Sequence, residues 1–169
     1  MKKIILILVL FLFSTALADV FDHPVTLDNI SSQMPKMGSI KCKFRQEKTM
    51  QNVKKPLISG GDFEFIEGKG VYFYTKYPIQ STSDYTSEKY KQINGVVKAI
   101  SAKKYSKIEK EFSFYFEKNS NNWALGMKPK SNSDAYNYIS SITLEGADFI
   151  RKMTINQPNG SKTTLWFTK

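Results

Sequence analysis

Apolar and polar residues alternate along much of this chain, and the alternation predicts β-strands. In the first such segment Ile40, Cys42 and Phe44 fall on one face. Lys41 and Lys43 fall on the other. A period of two is that of a strand with one buried and one solvated face. The predicted strands cover residues 40–47, 60–65, 71–75, 79–86, 90–93, 111–117, 123–127, 142–146, 149–156 and 162–168.

Three segments have a helical pattern instead. Apolar residues within 26–37 recur at spacings of three and four, and Thr26 can cap them, which predicts an N-terminal helix. Pro35 ends or kinks this helix. A looser spacing over 96–111 predicts a helical insertion, and 134–140 reads as a short helical turn.

The order of these elements predicts the fold class. One helix precedes five strands, a helical insertion follows, and about five more strands complete the chain. Consecutive strands joined by tight turns imply a single antiparallel sheet. A sheet of about ten strands must curl or split. We therefore expect a mainly β (α+β) fold in which one curled antiparallel sheet packs around its helices.

The N-terminus has the pattern of a secretory signal peptide. Two lysines precede an unbroken apolar run over 4–13, and an A-x-A site ends at Ala18. Ten apolar residues span about 15 Å of helix against a hydrocarbon core of about 30 Å, which favours a cleaved peptide over an anchor. We expect a signal peptide over 1–18, cleaved after Ala18, and one exported domain over 19–169 in a bacterial periplasm.

The net charge and the single cysteine and histidine limit the classes of function that this chain can have. Two of the 25 basic residues lie in the signal peptide, so the rest of the chain keeps a net charge of about +8. Such a charge favours transient contact with anionic membrane surfaces, while export and scattered lysines argue against nucleic acid. Cys42 is the only cysteine and His23 the only histidine, so we expect neither an internal disulfide nor a His/Cys metal site.

No catalytic motif accompanies the strands. The chain lacks a G-x-S-x-G elbow, a phosphate loop and an H-E-x-x-H pair, and its glycine pairs precede strands rather than helices. We predict a protein that is not an enzyme and uses no catalytic residue, cofactor or metal. The inward apolar residues instead predict a cavity for an acyl chain. The cavity candidates are Ile40, Phe44, Phe63, Phe65, Phe73, Phe112, Phe114, Phe116, Trp123, Leu125, Met127, Leu165 and Phe167.

Short motifs in a fixed order add a family resemblance. They are Phe44-x-Gln46, Lys55-Pro56, Ser59-Gly60-Gly61-x-Phe63, Gly68-Lys69-Gly70 before Phe73 and Pro78, Trp123-x-Leu125 before Pro129-Lys130, Ile142-x-Leu144-x-Gly146, and Asn159-Gly160 before Thr163, Thr164 and Phe167. In this order they resemble the LolA family of periplasmic outer-membrane lipoprotein carriers over nearly all of 19–169. The G-K-G turn is similar to that of the LolA-like branch rather than to the founding carrier.

The resemblance implies a half-open β-barrel with its helices as a short lid over an apolar cavity. It also implies a carrier that shuttles acyl-bearing cargo from an inner-membrane exporter to an outer-membrane acceptor. We expect such a carrier to be a monomer. Two features depart from the founding carrier. Glu67 stands where that carrier has an arginine, which the resemblance implies holds the lid closed. The segment 96–111 is also short for a lid of two helices. The cargo is thus open between lipoproteins and other lipids, including glycolipids.

Two other functions stay open on the residues alone. RseB-like envelope sensors have similar half-barrels and bind lipids or lipoproteins, although they carry a second domain for which 19–169 leaves no room. A hydrolase acting on acyl groups would need polar chemistry that no motif in the chain supplies. The identity of the cargo, the donor and the acceptor cannot be read from the sequence.

Overall fold

The fold is built on one antiparallel sheet, seen in a computed structural model that describes residues 19–67, 69–84, 95–96, 98–100 and 104–169. The described part contains nine strands. They are β1 (Ile40–Thr49), β2 (Leu57–Ile66), β3 (Gly70–Tyr77), β4 (Ser81–Asp84), β5 (Phe112–Asn119), β6 (Asn122–Pro129), β7 (Ser141–Gly146), β8 (Ile150–Asn156) and β9 (Lys162–Thr168).

The strand order confirms the predicted mainly β fold with a single curled antiparallel sheet. The order is β4-β3-β2-β1-β9-β8-β7-β6-β5. Two meanders, β1–β4 and β5–β9, therefore join where the first strand pairs with the last. Phe44 lies opposite Phe167 in that pairing. The strand predicted at 90–93 and the end of the one predicted at 79–86 lie outside the described residues.

The sheet is curled but open, and one of its edges is protected. β4 and β5 are its two edge strands, and they do not pair with each other within the described ranges. The segment before the N-terminal helix covers β5: the Val25 amide donates to the Phe114 carbonyl at 3.1 Å, and the Phe116 amide donates to the His23 carbonyl at 3.0 Å. These bonds occupy backbone groups that would otherwise invite pairing with another chain.

Helices cover the inner face of the sheet. Helix α1 (Leu27–Gln33) is shorter than predicted because Pro35 disfavours helical geometry in the residue before it, and Met34 is extended with ψ of 135°. Of the predicted insertion, residues 98–100 are helical and α2 spans Ser106–Glu109, while the rest lies partly outside the described residues. The short turn predicted near 134 is a 3-10 helix over Asp134–Asn137.

The described segment before α1 contains a short 3-10 turn. A 3-10 turn spans Val20–Asp22, and the Asp19 carboxylate accepts a hydrogen bond from the Phe21 amide at 3.2 Å. The predicted signal peptide over 1–18 lies outside the described residues and stays a prediction. Within the part of the chain that is described, no helix is both long and apolar enough to cross a membrane.

Candidate functional site: an apolar pocket at one end of the sheet

The predicted cavity residues all belong to one packed region. All of them except Ile40 are buried members of a single core cluster, and Ile40 is half-buried and packs against that cluster. Side chains from the helical segments, including Ile30, Met34 and Ile100, are buried in the same cluster. The middle of the inner face is therefore a closed core rather than an empty trough.

Aromatic packing explains how tightly this region is filled. Phe73 is fully buried, and its ring meets those of Phe44 and Phe63 edge-on at centroid distances of 5.1 and 5.0 Å. Phe63 also lies 4.7 Å from the ring of Phe167, on the other side of β1. Edge-to-face pairs of this kind add to the free energy gained by burying the rings. Strands of both meanders are thus held together by one aromatic cluster.

The apolar interior reaches solvent at one end of the sheet, where a pocket of about 280 Å³ opens. Four of the predicted cavity residues line it, namely Ile40, Phe63, Phe65 and Phe167. The other lining residues are Met37, Gly38, Ser39, Lys41, Cys42, Asp148, Phe149, Ile150, Met153 and Lys169. The remaining predicted residues lie deeper in the core and do not line this pocket.

The pocket lies beside the part of β1 with which β9 does not pair. β9 pairs with β1 only as far as Thr168 opposite Lys43, so β1 runs on past it to Ile40. On the other side, β8 begins at Ile150. The slot between the start of β1 and the start of β8 lets solvent reach side chains that are otherwise interior.

The turn between β7 and β8 forms one wall of this slot. The register shifts between Glu145 and Gly146, which marks a β-bulge. A Cβ built on Gly146 would lie 2.2 Å from the Phe149 carbonyl oxygen and 2.6 Å from the Trp123 ring, so only glycine fits. The Trp123 indole also donates to the Ala147 carbonyl at 2.7 Å. These contacts fix the turn and set Phe149 in the wall.

Paired charges surround the mouth of the pocket. Lys41 lies 3.0 Å from Glu64, and Lys169 lies 2.9 Å from Asp148, which also faces Arg151 at 3.5 Å. The hydrogen bond from Lys169 is the main reason that the pKa of Asp148 is lowered. Exposed pairs of this kind contribute little to stability, so separating them to admit another polar group costs little. The mouth can therefore accommodate a polar group while the interior takes an apolar one.

Glu67, which the sequence resemblance aligns with an arginine of the founding carrier, lies close to the pocket. It follows β2, and its backbone amide donates to the hydroxyl of Ser39, a lining residue, at 3.0 Å. Its carboxylate is exposed and forms no ion pair within the described residues. Within the described residues, the Glu67 side chain therefore does not join two elements through an ion pair.

Cys42 lines the pocket and is half-buried, on the face of β1 that alternation predicts to be the buried one. Burial raises the pKa of this thiol to about 11, partly offset by the nearby Lys169 ammonium. Cysteine reacts through its thiolate, so the site gives Cys42 little nucleophilic character at neutral pH. The geometry supports a role in the wall rather than in chemistry.

We expect Cys42 to react slowly with iodoacetamide. A pKa moved from 9.0 to about 11 leaves about a hundredfold less thiolate at pH 8, so alkylation followed by mass spectrometry should be about a hundredfold slower than in the urea-unfolded chain. The rate should rise about tenfold per pH unit up to pH 10. Because the folded state holds this proton more tightly, the thiol's contribution to stability is present below pH 9 and is lost as pH rises towards 11. A folded-state rate equal to that of the unfolded chain would contradict this.

Sequence reasoning missed several lining residues. Phe149 and Met153 belong to the strand predicted over 149–156, whose polar and apolar residues do not alternate cleanly. Lys169 follows the last predicted strand, where alternation assigns no face. Met37 belongs to the helical pattern over 26–37, which does not predict a lining residue. The one available signal in the sequence was Gly146, and it indicates a turn rather than a pocket. In the described ranges, no group of three or more His, Cys, Asp or Glu residues could hold a metal.

Comparison with known proteins finds no match by sequence and, among solved structures, a similar fold at low similarity. No family model matches the chain, and no curated protein matches it. Among solved structures, it is similar to a LolA superfamily protein from Nitrosomonas europaea, with 8% sequence identity and a TM-score of 0.30. The match covers 86% of this chain and 92% of that one. The fold of this chain is established by the order and register of its own strands.

Proposed function

We propose that the protein is a non-enzymatic carrier that binds an acyl chain of a lipoprotein or another lipid. The observation that carries the proposal is the apolar pocket at the start of β1, which continues into the aromatic core and opens through a charged rim. An acyl chain offers apolar length for the interior and a polar end for the rim. The described residues around the pocket supply apolar contact rather than a nucleophile paired with a base.

The size of the pocket sets the expected strength of binding. With each methylene group given the volume of about 30 Å³ that a water molecule takes in the liquid, the pocket of about 280 Å³ holds about nine such groups. Burying nine methylenes at about 0.8 kcal/mol each contributes about 7 kcal/mol before ordering costs. This corresponds to binding at or weaker than micromolar, which suits cargo that must be released. A longer chain would need the helical segments over the core to move.

The direction of transport is the part of the proposal that rests on the sequence resemblance. In this reading the exported chain receives cargo from an inner-membrane exporter and passes it to an outer-membrane acceptor. The monomer carries no energy source of its own, so the donor supplies it. The paired charges at the rim favour a cargo with a polar or charged group next to its acyl chain.

The test is binding of a fluorescent long-chain fatty acid to the purified chain from Asp19. We expect saturable one-to-one binding at micromolar or weaker dissociation constants, competed by long-chain but not by short-chain fatty acids, because affinity grows with buried apolar area. Native mass spectrometry of gently extracted protein should show co-purified lipid. Empty protein that also fails to bind the probe would refute the proposal.

A transfer experiment separates a carrier from a lipid sensor. Donor vesicles that contain a self-quenched acyl probe are mixed with acceptor vesicles, with and without the protein. A carrier speeds transfer in proportion to its concentration. A protein that binds the probe but leaves the transfer rate unchanged behaves as an RseB-like sensor would, and the carrier proposal would then fail while acyl binding stands.

A further inference from the structure

Three turns meet at the end of the sheet opposite the pocket. They connect β1 to β2 (50–56), β3 to β4 (78–80) and β8 to β9 (157–161). The ten residues of β1 separate the two ends by about 30 Å. Large apolar side chains are exposed here to an unusual degree, with Ile79 at 77% and Leu57 at 56%.

The β1–β2 hairpin projects from the body of the sheet. Leu57 and Ile58 are consecutive in β2 and so point to opposite faces, yet both are exposed. Val53, at the turn, is exposed as well. A strand with both faces exposed to solvent lies outside the packed core. This hairpin therefore presents apolar side chains to solvent on both of its faces.

The three turns form one continuous surface. Gly60 pairs with Tyr77, the last residue before the β3–β4 turn, and the Tyr77 hydroxyl lies directly over Gly60. On the other side, the Gln51 side chain approaches Gly160, where an added Cβ would lie 3.8 Å from its oxygen. We call this surface the turn face.

The turn face is basic without compensating acid. The sequence has no Asp or Glu over 48–61, 76–83 or 149–169. Lys48, Lys54, Lys55 and Lys162 form no ion pair with any described residue, unlike Lys41 and Lys169 at the pocket mouth. The surface therefore combines protruding apolar side chains with uncompensated positive charge.

We propose that the turn face docks the protein on the surface of an anionic lipid bilayer. Lysines near such a surface are attracted to its negative potential, and exposed Leu, Ile and Tyr side chains partition into the interfacial region. The apolar residues sit on the tips of separate turns rather than in a groove, which a fluid interface can accept and a rigid protein partner would have to match. Docking in this orientation leaves the pocket mouth directed away from the bilayer.

This proposal does not depend on acyl binding, since it rests on the opposite end of the molecule. All described strands and the core lie within 19–169, so the test uses the purified chain from Asp19. The chain is floated with vesicles of neutral phosphatidylcholine, and with vesicles that also contain about a third phosphatidylglycerol. We expect binding to the anionic vesicles only, and its loss at high salt.

Two variants locate the contact. Lys54→Glu with Lys55→Glu should weaken binding by at least 25-fold, at about fivefold for each lost lysine contact. Ile79→Ser should weaken it by about an order of magnitude, because the side chain no longer enters the interface. The matched control is Lys36→Glu with Lys69→Glu, which makes the same change in net charge with two exposed lysines near the pocket end. It should reduce binding less than threefold.

The outcomes are distinct. Loss of binding in the hairpin variant together with retention in the control supports docking through the turn face. Equal weakening in both charge variants would mean that net charge alone is responsible, and would overturn the proposal. No flotation of the wild-type chain with anionic vesicles would overturn it as well, and would point to an acidic protein as the partner of this surface.

Discussion

Replacing Phe73 with alanine is expected to lower the free energy of unfolding by about 4 kcal/mol, enough to unfold a large share of a marginally stable domain at 37 °C. The ring is fully buried and packs edge-on against Phe44 and Phe63. Its removal leaves a cavity at the centre of the aromatic cluster, and rings held by strand pairing cannot collapse fully to fill it. The unfolding free energy is measured by urea denaturation of the chain from Asp19.

The neighbouring residue on the same strand provides the control. Tyr74 points to the outer face and is 38% exposed, so Tyr74→Ala should cost less than 1 kcal/mol. Phe73→Leu should fall between the two, since it restores most of the apolar volume but loses the ring contacts. Equal losses of unfolding free energy for Phe73→Ala and Tyr74→Ala would contradict the assignment of Phe73 to the inner face and of Tyr74 to the outer face of β3.

Replacing Gly38 with tryptophan is expected to weaken binding of the fatty-acid probe by about a hundredfold. Gly38 lines the pocket, and a Cβ added there meets no atom within 4 Å, so the new side chain has open space to enter. An indole displaces about four methylene groups of ligand, which at about 0.8 kcal/mol each is about 3 kcal/mol, or two powers of ten in affinity. Probe titration of the two proteins measures the change.

Gly95 offers a matched control, because an added Cβ there also meets nothing within 4 Å but the residue does not line this pocket. Gly95→Trp should bind the probe as the wild type does. Both variants should unfold at the wild-type urea midpoint, since neither site is packed. If Gly38→Trp binds the probe unchanged, the acyl chain occupies some other part of the fold. If the wild type does not bind, the proposed function itself fails.

Much of the fold could be predicted from local pattern. Alternation, apolar runs and turn residues together placed eight of the nine strands close to their observed bounds, and Pro158-Asn159-Gly160 marked the final hairpin, where Gly160 has φ of +75°. β2 begins earlier than predicted, at Leu57 rather than Gly60, because its first residues belong to the projecting hairpin and show no buried face. The N-terminal helix ended early for a local reason that the sequence contained, namely Pro35.

The candidate site was predicted less completely. The predicted cavity residues do lie together on the inner face, because alternation reports which side chains turn away from water. Alternation does not report which part of that face stays open. Only Ile40, Phe63, Phe65 and Phe167 reach the pocket. Whether the predicted set binds an acyl chain stays a prediction that the probe titration addresses.

The sequence by itself determined the class of the fold and the inner face of nearly every strand, since each of these depends on a residue and its near neighbours. The tertiary structure decided how the two meanders join, which depends on β1 meeting β9 more than a hundred residues later. It also decided where the pocket opens, between the start of β1 and the start of β8, and it gathered three separate turns into one basic, apolar face. Pairing register over such distances leaves no trace in a local pattern, so these features had to be read from the folded chain.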